Sequence, residues 1–299
     1  MTTRSALLML STETPLHAGA GQSVAGIDLP IQREIHTNWP CVYGSAVKGA
    51  LRARAFHNCM NKDDLTELFG PEHAAATGER DNSHAGALLV GDARLLLLPV
   101  RSLQSCFKWV TCPAILRRFQ RDAERLGVTL PALQLPLSAL SGTEALAKTA
   151  GNLFLEEFRL QASDSACELI EQLADMLASL CGGTPDAVEL QERLVIVTDD
   201  IFSFLASNAT AVNAHIALDA QTKTVKDGAL WYEESLPPES LLYVPLTATA
   251  SRRKGSERQP GAMLDLFAGL LEQHSWLQLG GNETTGMGWC RASLNCGQA

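Results

Sequence analysis

No apolar run in this 299-residue chain approaches the roughly 20 residues a bilayer-spanning helix needs, and residues 6–10 fall short of a signal-peptide core of about 7–15. Both absences predict a cytoplasmic protein with no membrane partner. The eight cysteines (41, 59, 106, 112, 167, 181, 290, 296) contain no Cys-x-x-Cys pair, so they read as free, mostly buried thiols rather than a disulfide framework. His57, Cys59, His73 and His84 offer nitrogen and sulfur ligands for zinc, but at no standard zinc spacing. The chain also lacks G-x-G-x-x-G, a Gly-Lys-Ser/Thr phosphate loop, G-x-S-x-G and H-E-x-x-H. Dinucleotide, nucleoside-triphosphate, serine-hydrolase and metalloprotease readings therefore have no anchor.

Positive charge is in short supply as well. Twenty-four Lys and Arg face 33 Asp and Glu, a net charge of −9, which argues against a protein coated throughout for polyanions. The cations are clustered, however. Residues 1–60 carry Arg4, Arg33, Lys48, Arg52 and Arg54 against Glu13, Asp28 and Glu34, and further groups stand at Arg117, Arg118, Arg121 and Arg125 and at Arg252, Arg253, Lys254 and Arg258. A polyanion can bind such a chain locally. The 117–125 stripe, spaced i, i+4, i+8, reads first as a solvated helix face.

What is present is a mixture of helical and extended patterns. Strands are expected at 6–10, 87–93 continuing over 95–100, 153–160, 194–198, 241–250, 276–279 and 289–292. Helices are expected from an N-capping Ser45, between Pro113 and Gly127, over 165–181, 200–206 and 262–272. Residues 57–86 read as a loop excursion and 131–148 as a loose connection. Val212, Ala214, Ile216 and Leu218 alternate with polar neighbours, a polar turn follows, and 225–232 return: a projecting hairpin over 211–232. The sum is an α+β chain with a sheet covered on one face.

Three segments carry candidate chemistry. Asp28 sits in the loop Gly26-Ile27-Asp28-Leu29-Pro30 after a Gly-rich turn, flanked by His17 and His36; a loop aspartate is more often an Asx-turn or a cap than a catalyst. Ser45, Lys48 and Arg52 share the start of a helix, where unpaired N–H groups and the helix dipole favour a phosphate. Gly280, Gly281, Gly286 and Gly288 lie in one nine-residue loop, which reads equally as a backbone cradle for phosphate and as a turn between strands. Arg33 reads equally as a phosphate neutraliser and as a salt-bridge partner of Glu34 or Asp28.

The ordered set Thr14-Pro15-Leu16-His17-x-Gly19-x-Gly21, Asp28-Leu29-Pro30-Ile31-Gln32-Arg33-Glu34 and Gly44-Ser45-x-x-Lys48-Gly49-x-Leu51-Arg52 resembles the RAMP superfamily of CRISPR proteins. More narrowly, it resembles the backbone subunit of the type III-B (Cmr) effector complex. Trp109 to Pro113, Thr222 to Leu230 and Leu279 to Gly288 extend the resemblance across residues 7–292.

The resemblance implies a single RAMP domain over 1–299: a ferredoxin-like (RRM-like) palm, a mainly helical insertion at 113–185 and a protruding β-hairpin thumb at 208–238. It implies copies stacked along a CRISPR RNA beside other Cmr subunits, with a complementary single-stranded target RNA cut at regular intervals. Asp28 matches the family's catalytic aspartate, acting as general base or holding Mg²⁺ or another divalent ion with the RNA. Trp231 is the candidate wedge against a base. Two alternatives stay open: a backbone that holds RNA without cutting it, and an enzyme that processes precursor CRISPR RNA with His17 or His36 as base.

Overall fold

A computed structural model describes residues 2–21, 26–71, 84–131 and 140–298. In chain order its elements are β1 (Arg4–Thr12), β2 (Cys41–Val42), α1 (Gly44–His57), α2 (Lys62–Phe69), β3 (Leu88–Val90), β4 (Ala93–Arg101), β5 (Phe107–Thr111) and α3 (Pro113–Arg125). There follow β6 (Glu144–Leu146), β7 (Gly151–Leu155), β8 (Phe158–Ser163), α4 (Cys167–Leu180), α5 (Ala187–Arg193), β9 (Leu194–Val197) and α6 (Asp199–Asn208). The chain closes with β10 (Ala211–Leu218), β11 (Val225–Ser235), β12 (Leu241–Ala248), α7 (Pro260–Gln273), β13 (Trp276–Gln278) and β14 (Trp289–Cys296).

Among the described residues one mixed sheet runs β13-β14-β1-β12-β4-β5-β9-β6-β8-β7, with β2 joined to β4 and β3 to β12. Most pairings are antiparallel; β5 with β9 and β6 with β8 are parallel. The centre is continuously apolar rather than alternating. Ala6 to Leu10 on β1, Leu95 to Leu98 on β4 and Leu241 to Val244 on β12 are all buried. Because adjacent side chains point to opposite faces, unbroken burial means that both faces are covered. This corrects the expected one-sided sheet. Helix α7 packs on β1, β12 and β14, while α4 packs on β9 and β14.

Residues 113–185 hold α3 and α4, but also β6, β7 and β8, which extend the main sheet. The single strand expected at 153–160 is a tight hairpin, β7 and β8, turning at Glu156 with φ +48°. Helix α1 begins at Gly44 with Tyr43 as N-cap, two residues before the expected cap, and Ser45 lies exposed inside its first turn. Gly44 is required there, since a Cβ would fall 2.6 Å from the Val90 carbonyl oxygen.

Strands β10 and β11 form their own two-stranded sheet, clear of the main one. Ile216 stands opposite Leu230 and Ala214 opposite Tyr232, so one face is apolar; His215 stands opposite Trp231 on the other. Ile216 and Leu230 remain 50% and 55% exposed. At its base the hairpin enters the body, and Glu233, Glu234, Ser235 and Leu236 are buried.

Candidate nucleic-acid interface and cleavage site

The loop carrying Asp28 is laid along the base of β11 as a short extra strand. Leu29 N–H donates to the Tyr232 carbonyl and Glu234 N–H donates to the Leu29 carbonyl, both at 3.0 Å. Tyr232 N–H donates to Asp28 Oδ2 at 2.8 Å. One carboxylate oxygen of Asp28 is thereby fixed, while the side chain stays exposed at the foot of the hairpin.

Three other segments converge on this foot. Gln32 N–H donates to the Ala18 carbonyl, joining the Asp28 loop to residues 14–21. His17, buried, has Nδ1 2.7 Å from the Glu234 carbonyl oxygen and 3.7 Å from Glu233 Oε1. A carbonyl only accepts, so Nδ1 carries the proton. The Asn282 amide donates to Glu233 Oε1, bringing in the Gly-rich loop. Arg33 donates to Glu234 Oε1 at 2.5 Å and to the Ala206 and Asn38 carbonyls at 2.8 Å. Its partner is therefore neither Asp28 nor Glu34. Glu34 instead takes Arg118 at 2.6 and 2.8 Å, and that guanidinium lies 5.3 Å over the Trp39 ring.

The glycine loop is tied down by backbone bonds, two of them to residues 15–17. Gly281 N–H donates to the His17 carbonyl, Gly286 to Glu283 and Gly288 to Pro15, so these three amides already have protein acceptors. The geometry favours the turn over the cradle.

On α1, the Gly44 N–H donates to Asp92 Oδ1 at 2.7 Å, so a carboxylate already stands at the helix N-terminus. Lys48 is half-buried and its ammonium donates to the Leu88 carbonyl at 3.0 Å. Burial, then the charges of Arg252 and Arg52, hold its pKa below the ordinary lysine value. Lys48, Arg52 and Arg252 thus form one positive patch, in which Arg52 also donates to the Gly70 carbonyl and Arg252 is exposed. Elsewhere in the basic loop, Arg253 pairs with Asp63 at 2.9 Å and Arg258 with Asp64 at 2.5 Å. In the α3 stripe Arg117 pairs with Asp199 and Arg125 with Asp122, as a solvated face would.

Trp231 is half-buried and stacks on His215 with ring centroids 5.5 Å apart. Among the described residues no group of three His, Cys, Asp or Glu side chains is placed to hold a metal ion. His73 of the zinc candidates lies outside the described residues; His57 is exposed at the last position of α1 and Cys59 on the turn after it. Sequence reasoning passed over Glu233, Glu234 and Asn282. Two consecutive acids at the end of a strand were the available signal, because successive side chains point to opposite faces and the one that faces the body needs a partner.

The chain thus sets a projecting hairpin on a large mixed sheet, with the exposed Asp28 loop seated on the hairpin's foot. The chain belongs to the RAMP superfamily, whose profile matches residues 9–291. It is 33% identical over 290 residues to the "CRISPR system Cmr endoribonuclease Cmr4" of Pyrococcus furiosus, covering 96% of this chain and 95% of that one. It is 27% identical to the "CRISPR system CMR subunit Cmr4" of Saccharolobus solfataricus, covering 92% and 91%. The crystal structure of oligomeric Cmr4 from P. furiosus superposes with a TM-score of 0.74 at 28% identity, covering 100% of both chains.

Proposed function

We propose that this chain is the backbone endoribonuclease of a type III-B CRISPR effector complex. It stacks with copies of itself and other Cmr subunits along a CRISPR RNA and cuts complementary target RNA at the foot of each hairpin. The main sheet with α1 and α7 serves as the ferredoxin-like palm and β10–β11 as the thumb. The observation that carries this reading is the bond from Tyr232 N–H to Asp28 Oδ2, which holds an exposed carboxylate where the hairpin meets the body.

The exposed Ile216–Leu230 face of the hairpin, opposite Trp231, suits unstacking a base step. Once the stack is broken, a ribose 2′-hydroxyl can stand in line with its own phosphate. The free oxygen of Asp28 takes the hydroxyl proton, O2′ bonds to phosphorus, and the bond to the departing 5′-oxygen breaks as water protonates it. The products carry a 2′,3′-cyclic phosphate and a 5′-hydroxyl. Lys48, Arg52 and Arg252 supply charge for the guide backbone, with Ser45 exposed beside them on α1.

Asp28 does not make a divalent-ion site by itself: one of its oxygens is engaged, and Glu233 and Glu234 are buried on protein partners. A Mg²⁺ ion would draw most of its ligands from RNA phosphates and water. The test is the reconstituted complex with labelled complementary RNA, wild type against Asp28→Ala, in Mg²⁺ and in EDTA. Cutting should fall at least about 10²-fold in the variant with target binding unchanged. Equal cutting by both proteins would reduce the chain to a scaffold, and undiminished cutting in EDTA would remove the metal from the reaction.

A further inference from the structure

We propose that Glu234 is the positioning residue of the cleavage reaction: its buried carboxylate sets where Asp28 stands relative to the hairpin. This rests on the assignment of Asp28 above. The Glu234 side chain is 3% exposed and both oxygens are engaged. Oε2 accepts from Ile31 N–H at 3.0 Å, three residues beyond Asp28. Oε1 accepts from Arg33 at 2.5 Å and from the Thr210 hydroxyl at 2.7 Å, directly before β10. Its backbone takes the remaining contacts, donating to the Leu29 carbonyl and accepting from His17 Nδ1.

One residue therefore grips the acidic loop on both sides of Pro30, the root of the outgoing hairpin strand and, through Arg33, the end of α6 at Ala206. A carboxylate suits this place because every group facing it donates. An amide of the same shape would turn an NH₂ toward Ile31 N–H or toward the Arg33 guanidinium, and the loop would be pushed away. Arg33 also keeps the buried carboxylate paired. A general base must stand within hydrogen-bond reach of its proton, and displacement by about 1 Å costs on the order of 10² in rate.

The experiment compares reconstituted complexes containing wild type, Asp28→Ala, Glu234→Gln, Glu234→Asp, Thr210→Val and the Asp28→Ala/Glu234→Gln double variant. Each is assayed for single-turnover cutting of saturating labelled target, for target Kd, and for amide exchange over residues 26–34. Glu234→Gln should cut about 10²-fold more slowly with Kd changed by less than about twofold. Glu234→Asp, which keeps the charge, should recover part of the rate. The double variant should be no slower than Asp28→Ala, and exchange at Leu29 and Ile31 should rise in Glu234→Gln. Thr210→Val removes the hydroxyl's hydrogen bonds to Glu234 and from Arg33 without touching the charge, and should slow cutting about tenfold; it decides the matter if Glu234→Gln does not assemble. Near-wild-type cutting by Glu234→Gln, or by Thr210→Val in that event, overturns the role, as does weakened binding in step with the lost rate. Wild-type cutting by Asp28→Ala overturns the Asp28 assignment and this role together; an inactive Asp28→Ala beside an unimpaired Glu234→Gln overturns this role alone.

Discussion

At Gly280 and Gly288 the backbone holds φ of +76° and +83°, and a Cβ would collide with the carbonyl oxygens of His17 and Leu279. Gly286 has a similar φ of +81° but open space around it. Gly280→Ala and Gly288→Ala should each destabilise the fold by about 2–4 kcal/mol, strain plus clash, against about 1 kcal/mol for Gly286→Ala. Denaturant midpoints measure the difference; three equal costs would mean that the loop is free to rearrange. The sequence alone left this loop open between cradle and turn, because four glycines are compatible with both and only neighbouring backbone decides. Arg33 was opaque for a related reason. Its local candidates were Asp28 and Glu34, whereas its partner lies 201 residues away.

Elements were more legible than contacts. The alternation on either side of a polar turn marks the hairpin, because Val212, Ala214, Ile216 and Leu218 share one face of the ribbon and more polar residues the other. The strands of the main sheet lost that signal to burial on both faces, and β5 went unread although it carries Trp109 and Val110 into the core. Ser45 suggests a cap in the sequence, but α1 is capped at Tyr43, two residues earlier. For the hairpin, Ile216→Asp should leave stability within about 0.5 kcal/mol of wild type, because the side chain is half-exposed and supports no core. Cutting by the assembled complex should fall nonetheless. Thermal midpoint and target cleavage measured on the same preparation separate the two effects, and unchanged cutting would remove the apolar face from the interface.

At the scale of the molecule, a chain with net charge −9 presents its cations selectively. Arg253 and Arg258 face Asp63, Asp64 and Glu67, so the basic loop read as one cluster divides into paired and available charge. Arg252, exposed beside Lys48, belongs to the available part. Arg252→Ala should weaken RNA binding alike for all guide sequences and lower the slope of log K against log salt by about 0.7, as loss of one single-strand phosphate contact requires. An unchanged slope would place the RNA elsewhere. The positive patch was half-visible in the sequence, since Ser45, Lys48 and Arg52 were singled out while Arg252 enters only through the fold.

The bond that fixes Asp28 spans 204 residues, and β1 takes both of its neighbours, β12 and β14, from the last third of the chain. A growing polypeptide therefore leaves the ribosome with its first strand unpaired and its acidic loop without a seat until residues 232–234 emerge. Chains cut short by a premature stop before that point would carry the whole Asp28 motif and no means of aiming it. On the proposed function, the cleavage site thus stays unformed during synthesis until the body around it is nearly complete.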